Sequence, residues 1–181
     1  HSSIANGTEW LGIKGTECNW YGVTCTSDSV TSLSLVDNSL TGKIPQDISN
    51  LENLTQLLLS RNAIGGDIPG EIGSLKNLNN LSLFINELTG TIPPELGALE
   101  SLTDLWLNSN SLSGSIPPAL GNLASLENLI LSSNSIEGSL PSESVSISHL
   151  RGHGTSLLSR LRLPMSSQDF VARGGGGGGP G

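Results

Sequence analysis

"LTGTIPPELGALESL", residues 88–102, occurs twice more in this chain with small changes. "LTGKIPQDISNLENL" fills residues 40–54 and "LSGSIPPALGNLASL" fills residues 112–126, so the copies begin at multiples of 24 residues from one another. The full unit is LxxLxLxxNxLxGxIPxxLGxLxx, and it occurs five times without an insertion. The recurring polar and turn residues are Asn38, Asn62, Asn86, Asn110 and Asn134; Gly42, Gly66, Gly90, Gly114 and Gly138; and Pro45, Pro69, Pro93, Pro117 and Pro141. A fixed period of this length predicts a solenoid of stacked coils.

Each recurring residue has a structural reason. The alternation in LxL predicts a short strand whose two leucines point inward and whose neighbours point outward. The inward pairs are Leu33/Leu35, Leu57/Leu59, Leu81/Leu83, Leu105/Leu107 and Leu129/Leu131. The Asn that follows carries both a donor and an acceptor, so one buried side chain satisfies both kinds of backbone group where the chain turns inward. Gly permits a left-handed or close backbone passage, and Pro ends the segment because it lacks an N–H.

The consensus marks a leucine-rich repeat, and its LxGxIP segment is more specific than that. Over residues 10–147 the sequence closely resembles the plant-type subfamily of receptor-kinase ectodomains and polygalacturonase-inhibiting proteins. The resemblance implies an α/β class fold, a right-handed leucine-rich repeat solenoid of five 24-residue repeats with short parallel strands on its concave face. It also implies a second short strand in each LxGxIP segment. The expected divisions are an N-terminal cap at 1–29, repeats at 30–147 and an Arg/Gly/Ser-rich, disordered tail at 148–181.

The two cysteines lie in "CNWYGVTC", residues 18–25, directly before the first repeat. This stretch resembles the family's N-terminal cap, CxWxGVxC with an upstream Trp, here Trp10. The resemblance implies a Cys18–Cys25 disulfide, with Trp20 and Val23 covering the first coil. A metal pair or a redox pair is the alternative, but no His lies nearby and the spacing is not CxxC.

A disulfide would place the protein in an oxidising compartment, so we expect it outside the cell or at the cell surface. Three glycosylation sequons, at Asn6, Asn53 and Asn80, are compatible with that expectation. Past residue 147 the register is lost: His153 and Thr155 replace expected leucines, and Leu158 replaces an expected Asn. Alternatives for this part are a metal site at His149 and His153 and a membrane-surface contact by "LLSRLRL", residues 157–163.

Charge and composition exclude several classes of function. The net charge is −8, and residues 1–142 hold four basic against fourteen acidic side chains. The acidic charge of residues 1–142 argues against nucleic-acid binding. The sequence has no run of 18 apolar residues, so we do not expect membrane insertion within it. The repeats hold no His or Cys, and acids such as Asp37 and Asp104 have no evident partner, so we expect neither an enzyme nor a metal or cofactor.

Function is then expected at the outward positions of the strands, where the repeat leaves residue choice free. Large apolar residues occupy strand positions that should be exposed to solvent, and Trp106 is the central one. The expected partner-binding residues are these apolar residues and one acid: Leu58, Phe84, Ile85, Asp104, Trp106 and Ile130. We expect these side chains to face outward, so that removing Trp106 would barely alter stability.

The small face suits a peptide or a shared contact better than a large tight complex. The sequence therefore predicts a receptor or co-receptor ectodomain whose partner is a protein or peptide ligand or a larger receptor. The alternative is a secreted inhibitor of a cell-wall-degrading enzyme, which would depend on Asp104 and Gln56. An ice-binding surface is a further alternative, on the column Lys43, Asp67, Thr91, Ser115 and Ser139.

Overall fold

The structure is a computed structural model, and it describes residues 17–137. Its strands are β1 Val23–Thr26, β2 Ser29–Ser34, β3 Thr41–Gly42, β4 Gln56–Leu58, β5 Ala63–Asp67, β6 Asn80–Ser82, β7 Glu87–Thr89, β8 Asp104–Trp106, β9 Ser113–Gly114, β10 Asn128–Ile130 and β11 Ser135–Ile136. Its helices are η1 Glu17–Asn19, η2 Gln46–Asn50, η3 Gly70–Ser74, η4 Pro94–Ala98 and η5 Pro118–Asn122. In this part of the chain all five helices are of the 3-10 type, which supplies the helical component of the expected α/β class.

The main sheet has the strand order β1-β2-β4-β6-β8-β10. From β2 to β10 the strands are parallel, and each residue pairs with the residue 24 positions further along the chain, as Leu57 does with Leu81 and Leu81 with Leu105. The 24-residue period therefore becomes a sheet in which every column holds equivalent positions. This confirms the predicted solenoid with parallel strands on one face.

The LxGxIP segments form a second, shorter set of strands. β3, β5 and β7 pair in parallel, as do β9 and β11, and a bridge between Thr91 and Ser113 links the two groups. Four glycines of the recurring column, Gly42, Gly66, Gly90 and Gly114, adopt the left-handed conformation, with φ of 72° at Gly90, and Gly138 lies outside the described residues. That conformation is costly for residues with a Cβ, which explains why the column is glycine.

The convex side consists of the 3-10 helices η2 to η5, each of which follows a proline in extended conformation. Successive helices stack closely: a Cβ built on Gly97 in η4 would lie 2.2 Å from the carbonyl oxygen of Ala119 in η5. One apolar side chain per helix enters the core, as Ile72 and Leu96 do. Leu and Ile fill the core between helices and sheet, and many of them, including Leu57, are fully buried.

The Asn column links neighbouring coils through its side chains. Asn62 Oδ1 accepts hydrogen bonds from the backbone N–H groups of Asn38 and Leu40, at 2.9 and 3.0 Å. Its Nδ2 donates to the carbonyls of Leu35 and Leu59, both at 2.8 Å. Asn86, Asn110 and Asn134 make the same two donor contacts and accept one backbone N–H each, whereas Asn38 donates to the carbonyl of Val36 within its own coil. The side chains from Asn62 onward thus satisfy donors and acceptors that the inward turn removes from water.

The N-terminal end of the sheet is closed by a cap. Cys18 in η1 and Cys25 in β1 form a disulfide with an S–S distance of 2.07 Å, as the resemblance implied. β1 pairs antiparallel with β2, so the first strand of the repeats is covered. Val23 packs against the core, and Trp20 is half-buried. Trp10 and the predicted tail at 148–181 lie outside the described residues, so the boundaries at 29 and 147 remain predictions.

Candidate functional site

The outward side chains of the middle strand position lie side by side across the main sheet. Leu58 pairs with Ser82, Ser82 with Trp106, and Trp106 with Ile130. Phe84 lies two residues after the end of β6, and its ring centroid is 6.1 Å from that of Trp106, with the ring planes tilted by 54°. Aromatic rings at this distance and tilt attract one another. The structure therefore brings Phe84 beside Trp106, in the column that also holds Leu58 and Ile130. We call the predicted apolar set the concave patch: Leu58, Phe84, Ile85, Trp106 and Ile130.

Two serines lie under the concave patch, although their strand positions predicted exposure. Ser82 is 3% exposed and Ser60 is fully buried, and their hydroxyls hydrogen-bond to each other at 2.6 Å. Ser82 is small and lies between the large residues Leu58 and Trp106 in the strand register. The face that carries the apolar residues therefore also holds a buried, hydrogen-bonded serine pair.

Trp106 lies at an outward strand position, and its side chain is half-buried there. Its Nε1 is enclosed and has no hydrogen-bond partner in the described part of the chain. The same holds for Oδ1 of Asn80 on the neighbouring strand β6. Buried polar atoms are nearly always hydrogen-bonded, so two such atoms on adjacent strands mark an unusual place in the sheet.

Ile85 is 44% exposed and has a φ of 53°. The equivalent residues of the other coils, Asp37, Arg61, Ser109 and Ser133, share this left-handed conformation. For a β-branched side chain it is a genuine outlier, which costs roughly 1–2 kcal/mol. Hydrogen bonds hold the Ile85 backbone on both sides: its N–H donates to Asn108 O, and its carbonyl accepts from Asn62 N. The coil geometry therefore imposes the conformation, whatever the side chain.

Asp104 pairs with Asn80 and Asn128 in the register of the main sheet, so it lies in a column of polar residues that is two positions from the column of Trp106 along the strand. Its Oδ1 accepts a hydrogen bond from Asn128 Nδ2 and its Oδ2 accepts one from Thr103 Oγ1, both at 2.7 Å. Neutral neighbouring side chains therefore already engage both carboxylate oxygens. Gln56 accepts a longer bond from Ser32 at 3.4 Å.

The glycosylation sequons lie in different settings. Asn53 is exposed, whereas Asn80 is half-buried in the middle of the sheet, and Asn6 is outside the described residues. Residues 17–137 contain no helix long and apolar enough to cross a membrane. Within the same range, no three His, Cys, Asp or Glu side chains lie close enough together to hold a metal ion.

Sequence reasoning predicted the apolar side chains of the candidate site, which stay a prediction, and missed three features of this face. These are the enclosed acceptor of Asn80, the buried serine pair and the strain at Ile85. Only the last had a sequence signal, because Ile85 stands where the other repeats have Asp, Arg or Ser. The other two depend on how large neighbours lean over small ones.

A known family model matches four of the five repeats. The family model described as Leucine Rich Repeat matches residues 29–51, 53–75, 101–123 and 125–147. The matched segments leave out residues 77–99, the repeat that holds Asn80, Phe84 and Ile85, although its strand pairs in the same register as the others.

Solved structures from Arabidopsis thaliana resemble most of the chain. The BIR2 ectodomain is 36% identical with a TM-score of 0.67, over 80% of this chain and 77% of that one. The leucine-rich repeat ectodomain of the receptor kinase SOBIR1 is 32% identical with a TM-score of 0.68, over 91% of this chain and all of that one. A chain from the BIR3–SERK2 complex is 35% identical with a TM-score of 0.67, over 79% of this chain and 75% of that one.

Two full-length relatives from the same plant match a shorter stretch. Leucine-rich repeat receptor protein kinase EMS1 and Receptor-like kinase TMK4 are 57% and 54% identical over 37 residues, or 20% of this chain. The match spans only 3% and 4% of the length of those relatives. From the repeats, the cap and these likenesses, the chain belongs to the leucine-rich repeat family, in the plant type found in receptor-kinase ectodomains.

Proposed function

We propose that this chain is an extracellular binding module that holds a protein or peptide partner on its concave patch, as part of a receptor or co-receptor. One observation carries the proposal: Leu58, Trp106 and Ile130 share one column of the strand face, and the Phe84 ring lies beside that of Trp106. Apolar surfaces of this kind mark interaction sites, and the strand face is where solenoids bind. The module would act by binding and not by catalysis.

The nature of the partner is suggested by a structural relative. The BIR3–SERK2 structure is a complex, so a chain of this fold binds another protein. The concave patch of the present chain has the composition of an interface centre, with an aromatic pair at its middle and aliphatic residues around it. We propose that a comparable partner, or a peptide shared with one, covers Phe84 and Trp106.

A calorimetric titration of the full chain with SERK2, the protein named in that complex, tests the proposal. Trp106→Ala should weaken binding about thirtyfold, because a central Trp at an interface contributes roughly 2 kcal/mol or more. Lys43→Ala is the matched control, since Lys43 is exposed and lies away from the patch, and its affinity should equal that of the parent.

The same titration discriminates against the inhibitor hypothesis. An enzyme inhibitor would use polar groups, so its binding would depend on Asp104 and Gln56. In this structure both carboxylate oxygens of Asp104 already accept hydrogen bonds, which leaves that side chain poorly suited to the role. If Trp106→Ala binds as well as the parent while Asp104→Ala and Gln56→Ala do not, the proposed site is wrong.

A further inference from the structure

A polar groove runs along the flank of the main sheet, at the side where the strands begin. It starts at the cap and crosses the next three coils, and its volume is about 720 Å³, within the usual range of binding clefts. Thr55, Asn79 and Thr103, which directly precede β4, β6 and β8, contribute to its lining. Every lining residue in the described part of the chain is Ser, Thr or Asn.

The lining indicates which chemistry could fill the groove. Hydroxyl and amide groups donate and accept hydrogen bonds without charge, as the hydroxyl and acetamide groups of a neutral sugar do. Clefts with strong affinity are lined mainly by apolar and aromatic side chains, and this lining has neither among residues 17–137, so a free sugar would bind weakly. A sugar attached covalently beside the groove has a high effective concentration there, so weak polar contacts are enough to hold it.

Asn53 supplies a point of attachment in the groove itself. It begins the sequon Asn53-Leu54-Thr55, and its side chain is exposed. Among residues 17–137 that side chain has no hydrogen-bond partner, so its Nδ2 is free to carry a sugar. The equivalent Asn77, one coil further on, has no sequon and donates its Nδ2 to Glu52 O at 3.1 Å.

The sequon at Asn80 is in the opposite situation. Asn80 lies in β6, between Gln56 and Asp104 on the neighbouring strands, and its Oδ1 is enclosed. A sugar on Nδ2 forms a secondary amide, whose trans geometry places the sugar on the same side of the C–N bond as Oδ1. That side has no free space at Asn80, and turning the amide over would enclose the nitrogen itself. A sugar at Asn80 would therefore disrupt the sheet.

Building on the extracellular location in the proposed function, we propose that Asn53 carries an N-linked glycan whose first sugars lie in this groove, and that the folded protein carries none at Asn80. The sugars hydrogen-bond to Asn79 and Ser101, whose side chains line the groove and have no partner among residues 17–137. Because Trp106 is the last residue of β8, the glycan covers the flank where the strands begin and leaves the concave patch open.

The first arm of the test measures which sequons are occupied. The full chain is secreted from cultured plant cells behind a cleavable leader, and its peptides are treated with a peptide N-glycosidase in heavy-oxygen water, which converts each glycosylated Asn to a labelled Asp. We expect the label at Asn53 and not at Asn80. An unlabelled Asn53, or a labelled Asn80 in the folded protein, overturns the proposal.

The second arm tests whether the glycan lies in the groove. A mannosidase inhibitor in the culture keeps the glycan sensitive to endoglycosidase H, which then leaves one sugar on the Asn. Trimming should lower the thermal midpoint by about 3 °C, because the sugars beyond the first leave the groove. Asn53→Gln, secreted and trimmed in the same way, is the control and should not change, which also corrects for a sugar at Asn6. An equal midpoint before and after trimming of the parent would show that the glycan does not occupy the groove.

The third arm assigns the contacts by a double-mutant cycle. Replacing Asn79 and Ser101 together by Ala should lower the midpoint of the glycosylated parent by about 2 °C more than that of Asn53→Gln. Ser115→Ala is the matched control, because Ser115 is exposed, lies outside the groove and has no side-chain partner among residues 17–137. Its effect should be the same in both backgrounds. If the groove substitutions also act equally in both, the assigned contacts are wrong.

The outcomes separate this inference from the proposed function. A chain that is secreted but unmodified at Asn53 overturns the glycan site, while the SERK2 titration still decides the function. A chain that the cells fail to secrete contradicts the extracellular location and both proposals with it. Asn53→Gln should bind SERK2 as the parent does, since the groove and the concave patch lie at opposite ends of the strands.

Discussion

The Asn column shows how much structure one side chain can hold together at the scale of a single residue. Asn86 Oδ1 accepts from the Ile64 N–H at 3.1 Å, and Nδ2 donates to the carbonyls of Leu59 and Leu83, both at 3.0 Å. An Asp at this place could accept but not donate when ionised, and would set a negative charge against two carbonyls. The choice of Asn therefore follows from the backbone groups that surround it.

Asn86→Ala should leave the Ile64 N–H unpaired, whereas the carbonyls of Leu59 and Leu83 still accept from Asn62 and Asn110. One unsatisfied buried group costs about 1–3 kcal/mol, so we expect a loss of that size in the free energy of unfolding, measured by urea denaturation. Asn77→Ala is the control, because Asn77 is exposed and makes a single bond to Glu52 O. Its cost should stay below about 1 kcal/mol, and equal losses in the two variants would contradict the role of the column.

Trp106 is a second residue whose role changes once its neighbours are known. Because it is half-buried and its ring lies against Phe84, Trp106→Ala should lower the free energy of unfolding by about 1–2 kcal/mol, in contrast to the small effect expected from the sequence. Urea denaturation measures this, with Tyr21→Ala as the control. Tyr21 is 80% exposed, so its removal should change little. No loss in Trp106→Ala would mean that the ring is held only weakly.

At the scale of elements, the spacing between coils is set by the 3-10 helices on one side and the strands on the other. A Cβ at Gly97 would come within 2.2 Å of Ala119 O and 2.5 Å of its carbonyl carbon, and both are backbone atoms that cannot move without their helix. Gly73 stands in the same relation to Glu95 O. These glycines let the helices stack at the same spacing as the strands.

Gly97→Ala should therefore push η4 and η5 apart and lower the free energy of unfolding by about 1–3 kcal/mol. Gly65→Ala is the matched control, since its nearest contact for a new Cβ is 3.7 Å away and its φ is not positive. That variant should be neutral or slightly more stable, because Ala restricts the unfolded chain. Thermal denaturation of both compares them directly. A Gly97→Ala protein as stable as Gly65→Ala would show that the helices tolerate separation.

At the scale of the whole molecule, the repeat allowed most of the fold to be predicted. Leu57, Leu81 and Leu105 could be placed in one buried column because a fixed period and strand alternation leave no other arrangement. The helix type was not predicted, since it depends on how closely coils stack. In the site, the burial of Ser60 and Ser82 and the enclosed atoms of Asn80 and Trp106 were not predictable. They arise from the relative sizes of side chains on neighbouring coils, which no single repeat contains.

The end of the cooperatively folding unit along the chain is also a property of the whole molecule. The family model matches the fifth repeat as residues 125–147, and the register of leucines is lost beyond it, at His153 and Thr155. Leu129 and Ile136 pack against the core in the last described coil. We therefore infer that the folded unit ends near residue 147, and two truncations test this boundary.

A chain ending at residue 147 should keep its thermal midpoint within about 2 °C of the full chain, because it retains every residue that conforms to the repeat pattern. A chain ending at residue 137 loses the rest of the fifth repeat, including Pro141, and leaves Leu129 and Ile136 at an uncovered end. Its midpoint should fall by several degrees more, since the apolar edge of a solenoid needs a cover. Calorimetry on the three chains provides the measurement. If the truncation at 147 already causes the large drop, residues 148–181 stabilise the last coil and the predicted boundary is wrong.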